Sequence, residues 1–128
     1  MIFINVGSKY IRLDTIVYVH KGPKSTKIVT VRRGKSYVIK LLGEYRDSFH
    51  QNWGFLWRRE DKPNRYYIHE MKLWIRIPAL EALEFFKKDI DGEQVFHARL
   101  LSVCKPIILR GQCAQEFKAF LDQRKLVI

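Results

Sequence analysis

The sequence predicts an α+β protein whose amino-terminal part is an antiparallel β-meander, packed with about three helices. Three observations carry that reading. Residues 1–41 contain five short β-branched or aromatic runs separated by turn residues. From residue 41 onward, apolar side chains recur at three- and four-residue spacing, the period of a helix buried on one side. The first 40 residues also hold nine basic side chains and one acidic one, so the opening segment differs chemically from the rest.

The opening runs are "IFINV" (2–6), "YIRL" (10–13), "IVYVH" (16–20), "KIVTVR" (27–32) and "SYVIKL" (36–41). Between them lie "GSK", Asp14-Thr15, "KGPKS" and "RGK", which supply the Gly, Pro, Asp and Ser that turns require. Such a meander can form a small PH-like or barrel-like sheet. In "SYVIKL", Tyr37, Ile39 and Leu41 share one face, and Ser36, Val38 and Lys40 the other. In "KIVTVRR", both faces carry a cation near the end of the strand.

Leu41, Tyr45, Phe49 and Trp53 recur every fourth residue, and Leu56 and Trp57 continue the stripe, which predicts a helix over 41–57. "RREDKPN" reads as a charged loop, and "RYYIH" and "MKLWIRI" as strands ended by Pro78. Pro78 suits the first turn of a helix over 78–89 with Leu80, Leu83, Phe86 and Ile90 on one side. "EQVFHARLLSVC" leans to strand and "PIILR" is a clearer one. A final helix over 112–124 buries Ala114, Phe117, Phe120 and Leu121 and ends in Arg124 and Lys125, where the helix dipole favours cations. No internal repeat, low-complexity tract or linker stands out. The expected organisation is one domain, 1–128, with a basic meander at 1–41 and a mixed remainder at 42–128.

A chain of 128 residues that is 47% hydrophobic can bury a core. Its apolar runs, such as "IVYV", fall far short of the roughly 20 residues that cross a bilayer. The start "MIFINVGSKYIRL" lacks the pattern of a secretory signal, so a cytoplasmic protein is expected. Cys104 and Cys113 match no zinc spacing and are expected to be buried thiols. The net charge of +11, eight units of it in residues 1–40, points to a polyanionic partner.

Motifs for other chemistries are weak. "RRGKS" ends like a phosphate-cradling loop, but its earlier glycine would have to stand where Val29 is, so a hairpin turn with Gly34 at positive φ is expected instead. His20, His50, His69 and His97 have no metal-ligand spacing, and no metal or cofactor is expected. In "IHEMKLWI", Glu70 and Lys72 alternate, and with Asp61 they resemble the acid-x-Lys strand of PD-(D/E)xK nucleases, in which carboxylates hold a divalent ion. The simpler reading of that pair is a cross-strand charge pair.

Cations interleaved with aromatics weigh more. "WGFLWRREDKPNRYY" carries Trp53, Trp57, Tyr66 and Tyr67 among Arg58, Arg59, Lys62 and Arg65. Trp53 and Trp57 fit the helical stripe and so the core, while Tyr66 and Tyr67 cannot both face inward on one strand, which leaves one of them to stack bases. "YIRLDTIVYVHKGPKSTKIVTVRRGKSYVI" is similar to the opening strands of LytTR-type DNA-binding domains and of some PH-like or barrel-like small domains. The later Arg/His-rich segment of the LytTR pattern is not found, so the resemblance assigns no residue.

The resulting expectation is a non-enzymatic DNA- or RNA-binding domain. Lys21, Lys24, Lys27, Arg32, Arg33 and Lys35 on the hairpin would form one basic surface with Arg58, Arg59, Lys62, Arg65, Tyr66 and Tyr67. The alternatives are a metal-dependent nuclease using Asp61, Glu70 and Lys72, and an interaction module whose basic face meets an acidic protein or a ribonucleoprotein.

Overall fold

The computed structural model describes residues 2–6, 9–56, 64–86, 95–124 and 126. By their contacts they fall into two compact units, Met1–Ala79 and Leu80–Ile128. The architecture is mixed α+β with an amino-terminal antiparallel sheet, as the sequence predicts.

In the first unit, β1 (Phe3–Asn5) and β2 (Tyr10–Arg12) form a two-stranded ribbon, followed by a 3₁₀ turn at Leu13–Thr15. The strands β3 (Ile16–Lys21), β4 (Ser25–Arg32) and β5 (Lys35–Leu42) are the predicted meander, and helix α1 (Gly43–Leu56) follows directly. Then β6 (Arg65–Ile68) and β7 (Leu73–Arg76) return to the sheet, whose strand order is β5-β4-β3-β7-β6. Among the described residues the sheet is open, with β5 and β6 at its edges, and the barrel-like closure is not seen. Alternation places Thr26, Ile28 and Thr30 of β4 on one face beside Val19, Ile39 and Leu41. That face is covered by Phe49 and Trp53 of α1 and by Ile4 and Ile11 of the ribbon, which makes one apolar cluster. Of the predicted helical stripe, Leu41 belongs to β5 and Tyr45 stays exposed, while Phe49 and Trp53 are buried.

The turn between β4 and β5 is two residues long, with Arg33 at φ 52° and Gly34 at φ 76°. Positive φ at both positions matches the twist of a tight hairpin, which confirms the hairpin reading of "RRGKS". Gly34 adopts it freely. Arg33 is held where a side chain normally costs about 1 kcal/mol.

In the second unit, β8 (Leu80–Phe86), β9 (Val95–Leu100) and β10 (Ile107–Arg110) form a three-stranded antiparallel sheet, followed by α2 (Gly111–Gln123). The helix expected over 78–89 is therefore a strand, and the described residues contain two α-helices rather than about three. "LEALEFF" has helix-forming residues, but pairing with β9 along its length and the cross-strand ion pair of Glu84 with Arg99 outweigh that propensity. Helix α2 buries Ala114, Phe117 and Leu121 as predicted. Phe120 is only half-buried and lies under the Arg124 guanidinium, 4.7 Å from its ring centre. Cys113 is half-buried and Cys104 exposed, both as free thiols, so the expectation of two buried thiols fails.

The elements also run through one series twice, which the sequence did not reveal. Two paired strands, a 3₁₀ turn, three meander strands and a helix make up β1 to α1, and the same set makes up β6 to α2. Registers agree pair by pair: Ile16 faces Thr30 as Leu80 faces Leu100, Val19 faces Ile28 as Leu83 faces Ala98, and Thr26 faces Leu41 as Phe96 faces Leu109. Both runs shift register at the same place, between Ile16 and Tyr18 and between Leu80 and Ala82. Each helix begins at a glycine of φ 54°, Gly43 and Gly111. Six residues into each helix stands a fully buried phenylalanine, Phe49 and Phe117.

Candidate nucleic-acid interface

Among the described residues, the structure places the hairpin cations on two faces and at two ends of the sheet. Arg32 and Lys35 face each other across the last pair of the β4–β5 hairpin, with Arg33 in the turn between them, all exposed. Lys27 points to the opposite sheet face, where it stands between His20 and Lys40, its ammonium 5.7 Å from the Tyr18 ring centre. Lys21 and Lys24 sit at the other end of β4. Eight residues at a rise of about 3.3 Å put the two ends roughly 23 Å apart.

Of the second predicted cluster, Arg65, Tyr66 and Tyr67 are described. Arg58, Arg59, Lys62 and Trp57 lie outside the described residues. Arg65 is 3% exposed and belongs to the core: its guanidinium lies 3.1 Å from the centre of the Trp53 ring and donates to the Trp53 carbonyl oxygen at 2.8 Å. A cation over an indole face, satisfied by a carbonyl, can be buried where an isolated charge could not. Trp53 is buried, as its helical spacing predicts. Tyr66 and Tyr67 are both half-buried, and Tyr67 packs on Trp74 with ring centres 4.5 Å apart, so neither is the open stacking ring expected.

Exposed rings and cations do meet elsewhere. A cleft of about 870 Å³ lies where the β1–β2 ribbon passes the tip of the β4–β5 hairpin. Lys9, Arg12, Arg32 and Arg33 bring positive charge to it, and Phe3, Tyr10 and Tyr37 bring rings that are 51%, 70% and 42% exposed. The Arg32 guanidinium sits 4.4 Å from the centre of the Tyr37 ring, which fixes a flexible cation over an aromatic face. Arg12 bonds through Nε to Asp14 at 2.5 Å, and the Thr15 hydroxyl donates to the Arg12 carbonyl oxygen, so the one acid of the first 40 residues is held at the base of this ribbon.

Sequence reasoning missed Phe3, Lys9, Tyr10, Arg12 and Tyr37. A signal was available in "KYIRL": Ile11 and Leu13 point one way and are buried, so Tyr10 and Arg12 must point the other. The second run of the fold offers a comparison. Its connection between β9 and β10, "LSVCKP" at 101–106, carries one cation, so a cluster of cations at this place is not a requirement of the architecture.

The other candidate chemistries find less support. Glu70 and Lys72 lie in the turn between β6 and β7, Lys72 at φ 50°, and not on the strand that the nuclease resemblance needs. Asp61 lies outside the described residues. Among the described residues, no three His, Cys, Asp or Glu side chains gather as a metal site, and no helix is long and apolar enough to cross a membrane.

A polar network fixes the helix at the far end of the sheet. Arg46 donates from Nε to Thr26 Oγ1 at 3.1 Å and from Nη2 to the Gly22 carbonyl oxygen, and Thr26 Oγ1 lies 2.6 Å from His50 Nε2. Thr26 is fully buried and its hydroxyl proton needs an acceptor, which Nε2 provides. Burial, with Lys21 and Arg46 adding positive charge nearby, lowers the His50 pKa from 6.5 to about 4. The folded protein thus favours neutral His50, while the unfolded chain takes up its proton near pH 6.5. That part of the stability is complete above pH 6.5 and is lost as pH falls toward 4. Since the ring is only half-buried, solvent screening reduces the effect to about 1–2 kcal/mol. Denaturant unfolding at pH 7 and pH 5 is expected to show the first part of this loss, and a His50→Asn variant to show less of it.

Comparison with protein-family models, with curated proteins and with solved structures finds no match to this chain.

Proposed function

We propose that the protein binds single-stranded nucleic acid in the cleft between the β1–β2 ribbon and the β4–β5 tip. The observation that carries this reading is the meeting of Arg32, Arg33 and Lys9 with the exposed rings of Phe3, Tyr10 and Tyr37 in one concavity. Guanidinium and ammonium groups hold phosphates, and the rings accept unpaired bases whatever their identity, because every base has a stacking face. The strained backbone at Arg33 adds support. Asn or Gly would suit that position better, so a guanidinium at the tip is kept against a conformational cost.

Arg12 is partly committed to Asp14, which leaves Lys9, Arg32, Arg33 and Lys35 as about four cations for phosphates. Single strands lose about 0.7 in slope per phosphate, so log affinity for a labelled oligothymidylate should fall with log salt at about −3. A binding constant indifferent to salt would end this reading.

A further inference from the structure

A second cleft of the Met1–Ala79 unit, about 380 Å³, lies at the opposite end of β4 among Lys21, His50, Trp53, Arg65, Tyr67 and Trp74. It is of the size that takes small organic ligands. Such a lining could be ordinary core, and the internal repeat tests that view. By strand register and helix position, Thr26, Arg46, His50 and Trp53 correspond to Phe96, Ala114, Lys118 and Leu121. There the helix rests on its sheet around a smaller apolar pocket of about 220 Å³. The architecture therefore closes with Ala, Leu and Phe, and needs neither the indole nor the hydroxyl–imidazole pair.

Two further details point to a ligand. The indole N–H of buried Trp53 meets no acceptor among the described residues, a costly state for a donor removed from water. Trp53 is stacked on Phe49 and lies under Arg65, so what it has left for a ligand is its edge, which carries that N–H. Gly54 also borders the cleft, and a Cβ there would meet nothing within 4 Å. A glycine inside a helix is unfavourable, and here no close neighbour demands it, but it keeps the cleft open.

We infer that this cleft binds a planar heteroaromatic anion the size of one nucleotide, its ring against Trp74 and Tyr67, an acceptor on that ring taking the Trp53 N–H, and its phosphate at Lys21. The inference does not rest on the oligonucleotide reading, because no side chain lining one cleft lines the other. The test is titration of the full chain with adenosine monophosphate, followed by tryptophan fluorescence, with adenosine and inorganic phosphate as separate arms. Saturable quenching by the monophosphate is expected, with adenosine binding at least tenfold more weakly and phosphate alone giving no quenching. Lys21→Ala, an exposed change, should weaken the monophosphate about tenfold, and Gly54→Leu should abolish saturation while the circular dichroism spectrum stays native. If Gly54→Leu does not fold, Lys21→Ala decides. Absence of saturable quenching, or quenching unchanged by Lys21→Ala, would overturn the site. Binding of the monophosphate without any binding of oligothymidylate would leave it standing and remove the first proposal alone.

Discussion

Replacing Arg32 and Arg33 together by serine is expected to weaken oligothymidylate binding about 25-fold at 0.1 M salt. Two phosphate contacts at about 0.7 each remove 1.4 from the salt slope, and at a tenth molar that difference is a factor of 10 to the power 1.4. The fold should tolerate the change, since both side chains are exposed and neither contributes to the apolar cluster. Serine at position 33 still sits at positive φ, so backbone strain is not relieved and cannot mask the loss. The Tyr37 ring would also lose the guanidinium over it, which frees the ring but leaves it less ordered. Fluorescence anisotropy with a labelled single strand measures this directly, and an affinity within twofold of the parent would exclude the hairpin tip from the site.

Phe49→Ala is expected to lower the stability of the Met1–Ala79 unit by about 3–5 kcal/mol. Phe49 is fully buried between the helix and the sheet, stacked 5.5 Å from Trp53 and edge-on to His50 at 5.4 Å, so truncation opens a cavity that three elements line. A loss of that size is a large part of the 5–15 kcal/mol that holds a typical domain. Chemical denaturation should show a much lower midpoint, with any oligonucleotide binding lost in parallel as the ribbon loses its support. A shift below about 1 kcal/mol would mean that the helix does not pack as described.

Much of the fold was legible because local and tertiary preferences agree. β-Branched runs bounded by Gly, Pro and Asp became β1 to β5 almost residue for residue, and the four-residue stripe through Phe49 and Trp53 became α1. "LEALEFF" failed because its helical period is real but pairing with β9 overrides it. The repeat was hidden because the two runs share shape more than residue type. Ile11-Arg12 and Ile75-Arg76 match, as do Gly43 and Gly111 and Phe49 and Phe117, but the β4–β5 turn of two residues corresponds to a six-residue connection between β9 and β10. The charge of the first 40 residues was legible as a count, while the division of its cations between two faces and two ends of the sheet required the pairing registers. Arg65 misled most, since an arginine beside tyrosines reads as surface until an indole and a carbonyl are seen to enclose it.

In the proposed mode of binding, the cations at the β4–β5 tip meet phosphates. The measurement that tests it most directly is the salt dependence of oligothymidylate affinity, taken side by side for the parent protein and the Arg32→Ser/Arg33→Ser variant. Slopes of about −3 and about −1.5 are expected, from about four phosphate contacts and about two. Two equal slopes would contradict it, because they would show that the phosphates are held somewhere else.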